Sequence, residues 1–281
     1  MTRLTEIEAH IGDMAELREI VGAMRSLASM RVQEAQRRLP GIRSYAETMA
    51  TGIGAALLLV PDAGPIPAAA RGRCALVLCT AEHGFVGAFN EHLLDLAEPD
   101  VKARSALFIL GSRGALAAQE RQWEAVWTHT MPTRSEAAPE TIRRLTPELY
   151  RQIASGRVNR VEVMYARHRQ DTGATIERRL LLPLDVASLA PIQRHQPPLH
   201  NLPPRVLLEE LIADYVFALL TEAAIESLGS ENAARFAAMQ SAYDNVSSKL
   251  DQLRQEASQA RQTEITSELL DLLVGVEAQA G

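Results

Sequence analysis

Cysteine, aromatic side chains and long apolar runs are all scarce in this chain. Of its 281 residues two are cysteine, and aromatics make up 4%. Cys74 and Cys79 lie an odd number of positions apart on an expected strand, so their side chains face opposite ways and no bridge between them is expected. A CxxC redox pair is absent, and both thiols read as small buried hydrophobes. No apolar run approaches the ~20 residues of a membrane span. The longest, residues 53–60, stops at Pro61. The opening MTRLTEIEAHIGDM carries acids and lacks an apolar core. Neither a secretory signal nor a transit peptide is expected, and the chain should stay in a prokaryotic cytoplasm. A net charge of −6 argues against a general nucleic-acid footprint. The seven histidines show no HExxH or other ligand spacing, and no G-x-S-x-G elbow occurs. No metal, no cofactor and no self-contained catalytic constellation are therefore expected.

Proline is missing after Pro204, and the stretch that follows organises the chain. Steps of three and four from Leu208 give Leu211, Tyr215, Ala218, Glu222, Ile225, Gly229, Asn232, Phe236, Met239, Tyr243, Val246, Leu250, Leu253, Ala257 and Ala260. Most are apolar, and the residues between them are largely polar. This is the 3.5-residue period of a coiled-coil seam held for many heptads. At ~1.5 Å per residue the helix would run roughly 100 Å, so it needs a second helix alongside. Residues 4–58 supply one. Leu4, Ile7, Ile11 and Met14 mark its stripe, which resumes after a three-residue step as Leu17, Val21, Met24 and Ala28. That step predicts local overwinding. Pro40-Gly41 predicts a kink or brief break, and Gly229-Ser230 a joint in the second helix.

The middle reads differently. Strands are expected at 74–80, 106–110, 124–130, 158–167 and 175–184, with helices between them at 88–96, from the Gly111-Ser112-Arg113-Gly114 turn to about 122, and at 135–154. Pro139 and Pro147 should start separate helical pieces. Alternating strand and helix argue a mainly parallel sheet closed by one antiparallel pair, a Rossmann-like α/β domain. The domain reading is therefore a coiled-coil helix at 1–60, an α/β domain at 73–185, a Pro-rich connector at 186–204 and a coiled-coil helix at 205–281. The end helices can pair only antiparallel if both leave the domain in the same direction, giving a two-helix shaft on a globular foot.

Several motifs resemble one family. The tail ARQTEITSELLDLLVG is similar to the ending Ile-Thr-x-Glu-x-x-Asp/Glu-x-x-x-Gly-Ala of F-type ATP synthase gamma subunits. Ile265, Thr266, Glu268, Asp271 and Gly275 match, with Val276 in place of Ala. The first helix resembles that family's motif around Ala23-Met24. The loop EHGFVGAFN resembles its Gly-Leu-Cys-Gly-x-Phe-Asn loop through Gly84, Gly87, Phe89 and Asn90. ILGSRG matches its Gly-Lys-Lys/Arg-Gly turn. Glu19, Gly22 and Phe85-Val86 depart from the pattern, and the Cys insert of chloroplast members is absent. These departures look like a divergent, N-type prokaryotic branch.

The resemblance implies a rotor shaft coupling ATP synthesis or hydrolysis on other chains to proton or sodium translocation. Implied partners are the alpha and beta subunits of the catalytic ring, the epsilon subunit and the membrane c-ring, the last near residues 200–204. Arg261 and Gln262, with Thr266 and Glu268, would engage a beta-subunit loop. Met24, Arg25 and Arg31 would face beta's acidic lever. Leu269, Leu270, Leu272, Leu273 and Val274 form a tip apolar on nearly every side, which must be covered all round, and the family offers an apolar sleeve. The residues alone also allow plainer readings: solvated polar faces for the charged groups, and a tip tucked against its partner helix. The Gly84–Gly87 loop lacks a P-loop ending and reads as a turn with steric requirements. A reading of another class is a ligand-binding α/β domain with coiled-coil dimerisation arms. Its sign would be a phosphate-cradling loop, and none is visible.

Overall fold

The computed structural model describes residues 3–60, 73–169, 173–184 and 199–280, with the side chains at 268 and 271–280 outside what it describes. The linker at 62–67, the turn residues Asp171 and Thr172 and most of the Pro-rich connector also lie outside. The elements are α1 (Arg3–Leu57), β1 (Cys74–Cys79), α2 (Phe89–Lys102), β2 (Ala106–Leu110), α3 (Ser112–Glu120), β3 (Ala125–His129), α4 (Ala138–Ala154), β4 (Arg160–Arg169), β5 (Gly173–Leu182) and α5 (Pro204–Ala280). The chain divides into two compact units. One is Met1–Leu27 with Phe236–Gly281; the other is Ala28–Arg235.

The larger unit is built on a five-stranded sheet of order β3-β2-β1-β4-β5. β1 pairs parallel with β2 and β4, β2 parallel with β3, and β4 antiparallel with β5. The order 3-2-1-4 is that of a doubly wound sheet, as the strand–helix alternation predicts. Central strands buried on both faces need continuous apolar runs, and β1 and β2 have them. Leu76, Leu78, Leu107 and Ile109 pack on one face with Leu93, Leu94 and Ala97 of α2 and Ala118 of α3. Ala75, Val77, Cys79 and Phe108 pack on the other with Ile142, Leu145 and Leu149 of α4. That second face is completed by the terminal helices themselves, through Ala35, Leu39 and Ala46 of α1 and Val216, Leu219, Leu220 and Ala223 of α5. Within this unit α1 and α5 run antiparallel. Ala35 meets Gly229, Arg43 meets Glu226 and Glu222, and Gly52 meets Leu211.

Burial settles the cysteines. Both are free, on opposite faces of β1. Desolvation pushes the Cys79 thiol up to about 12 and that of Cys74 to about 11. A thiol-specific reagent near neutral pH should therefore label neither within minutes, and should count both of them after denaturation.

Five local expectations are corrected. α1 passes Pro40 without interruption. Burial of Ala35, Leu39, Ala46 and Ile53 around it offsets the ~3 kcal/mol an interior proline costs. α5 shows no joint at Gly229-Ser230. Gly229 is there for close approach, since an added Cβ would sit 3.3 Å from Ala35 Cβ. α4 runs through Pro147 and only Pro139 marks a start. α2 continues past residue 96 to Lys102, with Pro99 in its last turn.

The fifth is the overwinding step. Leu17 is 40% exposed, whereas the buried or half-buried positions of residues 14–28 (Met14, Ala15, Arg18, Val21, Gly22, Met24, Arg25 and Ala28) include an alternation of four and three through Met14, Arg18, Val21, Arg25 and Ala28. Arg18 and Arg25 are half-buried there, and an arginine can hold such a position by laying its aliphatic stem along apolar surface.

Candidate functional site

In the smaller unit α1 and α5 form an antiparallel pair. Arg25 Nη1 donates to Gln240 Oε1 at 3.1 Å, and its guanidinium lies 4.6 Å from the Tyr243 ring centroid. An added Cβ on Gly22 would touch the same ring at 3.4 Å, so Gly22 leaves it just enough room. Near the other end Arg261 Nη2 donates to Glu8 Oε1 at 2.6 Å. Leu250, Leu253 and Ala257 are buried in the expected seam, whereas Phe236, also expected there, is 38% exposed.

The predicted contact residues divide by environment. Met24 and Arg25 are half-buried, and Arg25 is engaged within the coil. Arg261 makes its exposed pair with Glu8. Gln262 and Thr266 are exposed, with the Thr266 hydroxyl turned back onto the Gln262 carbonyl at 2.8 Å. The Glu268 side chain and those of Leu272, Leu273 and Val274 lie outside the described residues. Leu269 and Leu270 are described, and both are more than half exposed. Arg31 belongs to the larger unit and donates to Glu34 Oε2 at 2.9 Å. Burial alone would raise the Glu34 carboxyl, but bonds from Ser135 and Arg31 hold it below its usual range.

One feature was not foreseen. Leu17, Ile20 and Leu27 are 40%, 51% and 50% exposed, with half-buried Met24 among them. Their spacing of three, four and three is a second helical stripe, pointed away from the seam. In sequence it is disguised as part of the seam, because Leu17 competes with Arg18 for the same heptad slot.

The expected structural loop is held from α5. Gly87 has φ +57° and non-glycine Phe85 has φ +61°, with Phe85 66% exposed. Arg235 Nε donates to the Gly84 carbonyl and Nη2 to that of His83, each at 3.2 Å. Arg235 also donates to Glu231 Oε1 at 2.6 Å and Asn232 Oδ1 at 3.1 Å. Asn90 Oδ1 accepts the Ala81 amide at 2.9 Å, and Phe89 and Val86 are buried beside it. Doubly wound sheets bind ligands outside the carboxyl ends of the strands where the order reverses, here between β1 and β4. At β1 that place is taken by α5, whose Ser227 hydroxyl donates to the Cys79 carbonyl at 2.7 Å. Among the described residues no cluster of His, Cys, Asp or Glu could hold a metal ion, and no helix is long and apolar enough to cross a membrane.

Comparison with known proteins bears on the whole chain. The sequence model of the ATP synthase family matches residues 3–279. An ATP synthase gamma chain of Syntrophobacter fumaroxidans is 29% identical, covering 99% of both chains. That of Streptomyces avermitilis is 28% identical over 99% of this chain and 96% of its own. A chain of the Euglena gracilis mitochondrial ATP synthase superposes with a TM-score of 0.66 at 12% identity, covering 98% of this chain and 94% of its own. A chain from the central stalk and c-ring of the Tetrahymena thermophila enzyme gives 0.58 at 16% identity over 79% of this chain and 99% of its own.

Proposed function

This chain belongs to the ATP synthase family, and we infer from that membership that it is the gamma-type central-stalk subunit of a rotary ATP synthase. It is a non-catalytic stalk subunit, and the catalytic sites belong to other chains, the alpha and beta subunits of the ring around it. It couples ATP synthesis or hydrolysis there to proton or sodium movement through a membrane c-ring, with an epsilon subunit at its foot, on the cytoplasmic face of the cell membrane.

The observation that carries this reading is the outward stripe of Leu17, Ile20 and Leu27 on a two-helix coil whose seam is occupied by other residues, Val21, Met239, Leu250, Leu253 and Ala257 among them. Ile265, Leu269 and Leu270, each more than half exposed on α5, add to it. Apolar contact is non-directional, so a surface of this kind can pass from one neighbour to the next without being trapped by one set of bonds. The mechanism needs asymmetry rather than an active site. One coil inside a threefold ring presents a different face to each catalytic site and so biases each toward a different conformation. Met24, Arg25, Arg31, Arg261, Gln262, Thr266 and Glu268 are the proposed polar and charged contacts, and residues 269–274 the bearing. Arg25 and Arg261 must exchange Gln240 and Glu8 for a partner's groups, or share them.

Co-expression with alpha and beta subunits tests the assignment. The expected product contains one copy of this chain per three alpha–beta pairs and hydrolyses ATP only when the chain is present. Elution alone or as a homodimer, with alpha–beta hydrolysis unchanged, would return the ligand-binding reading to first place. Within the complex, replacing Leu17, Ile20 and Leu27 by serine should leave the coil folded and weaken retention on the ring roughly tenfold or more. Equal retention of the triple variant would remove the stripe from the interface.

A further inference from the structure

The larger unit keeps one small cleft outside the carboxyl end of β4, beside the point where the strand order reverses. It encloses about 180 Å³ between α1, β4 and α5. That is room for several waters, and below the ~300–1,000 Å³ of sites for drug-sized molecules. Arg43, Arg167, His168, Gln36, Glu226 and Ser230 supply its polar lining.

Three donors there are left over. The Ser230 side chain is fully buried, and its hydroxyl has no partner among the described residues. Buried hydroxyls are nearly always bonded, so an orphan on a residue that lines a polar cleft asks for a ligand. Arg43 bonds Glu222 through Nε and Glu226 through Nη2. Arg167 bonds Glu177 through Nη1 and approaches Glu226 through Nε at 3.4 Å. Nη1 of Arg43 and Nη2 of Arg167 therefore have no partner among the described residues. Arg169 and Arg179 join the same network, through Glu177 and Glu222. Four guanidinium groups thus face three carboxylates, an excess of one positive charge.

We propose that this cleft binds a small inorganic oxyanion of phosphate's size, held by the free guanidinium nitrogens of Arg43 and Arg167 and by the Ser230 hydroxyl. Planar guanidinium groups suit tetrahedral oxyanions, and a single negative charge would balance the network. The bound anion would tie α1, β4 and α5 together within the larger unit. The site depends on this unit's geometry alone and stands or falls separately from the stalk assignment.

Titration calorimetry of the purified full chain with sodium phosphate, at constant ionic strength in chloride, tests the site. Saturable binding of one phosphate per chain is expected, with sulfate competing. Ser230→Ala breaks no existing bond, so its melting temperature should match the parent's. Its phosphate affinity should fall roughly tenfold, the worth of one hydrogen bond to a charged group. No saturable heat in the parent would overturn the proposal, as would equal affinities in parent and variant. A melting temperature raised equally in both, without saturable heat, would mean exclusion of the anion from the surface and would also overturn it.

Discussion

Gly114→Ala should strongly destabilise the Ala28–Arg235 unit. Gly114 lies in the first turn of α3, where the helix crosses the end of β1. An added Cβ would stand 2.0 Å from Thr80 Oγ1, 2.2 Å from its Cβ and 2.5 Å from its Cγ2. Thr80 cannot turn aside, because it is fully buried and its hydroxyl donates to the Leu110 carbonyl at 2.6 Å. The helix would have to lift off the sheet, opening the layer in which Ala118 packs on Leu76, Leu78 and Ile109. Overpacking without a route to relaxation costs ~3 kcal/mol or more, a fall of roughly 10 °C in melting temperature for a unit of this size. Thr80→Ala would not rescue the variant, since the Thr80 Cβ is itself in the way. Thr80→Gly should rescue it in part, making the two substitutions strongly non-additive. A Gly114→Ala protein that melts with the parent would mean that α3 does not rest on β1 at this point.

The Gly111-Ser112-Arg113-Gly114 turn is legible in the sequence as a turn and no further. The reason for its glycines is Thr80, more than thirty positions away, and Gly111, at φ +113°, would meet that residue's carbonyl as well. Contacts of that range leave no local pattern. Elements with a local signature fared better. β2 falls on residues 106–110 because a fully buried parallel strand is simply an apolar run between turns. The seam at Leu250, Leu253 and Ala257 was equally plain. It failed at residues 14–28, where counting arginine as polar favoured Leu17 over Arg18 and so hid the outward stripe. Least legible was the buried charge. Glu222, Glu226, Glu231, Asn232 and Arg235 lie within four turns of α5 and are all buried, yet charged residues on a helix ordinarily read as a solvated face. Glu222 and Asn232 at seam positions were the trace of it. Their partners, Arg43, Arg179 and the 82–84 backbone, come from other elements. The candidate contacts were legible only through family motifs, since an exposed Gln262 or Thr266 carries no physical signature alone.

Arg235→Ala should cost the same unit ~3–5 kcal/mol, the loss seen when one partner of a buried ion pair is removed. The Arg235 side chain is 10% exposed and that of Glu231 3%. Without the guanidinium, the Glu231 carboxylate keeps only backbone amides, that of Glu82 at 3.4 Å and that of His83, and the His83 and Gly84 carbonyls lose their donor. Lysine should restore little, because one ammonium cannot serve acceptors spread around a planar fork. The deficit should depend on pH in a defined direction. Burial already raises the Glu231 carboxyl above its usual range, and Arg235 opposes that rise. Removing Arg235 raises it further. A carboxyl raised in the folded state favours folding while both states are protonated and loses that advantage as pH climbs through the unfolded and then the folded value. The variant's deficit in urea denaturation should therefore be larger at about pH 7 than at about pH 5, and Glu231→Gln in the same background should flatten the difference. A deficit of equal size at both pH values would show that the carboxylate charge is not what Arg235 holds in place. The loss would then come from the carbonyls of the 83–84 turn.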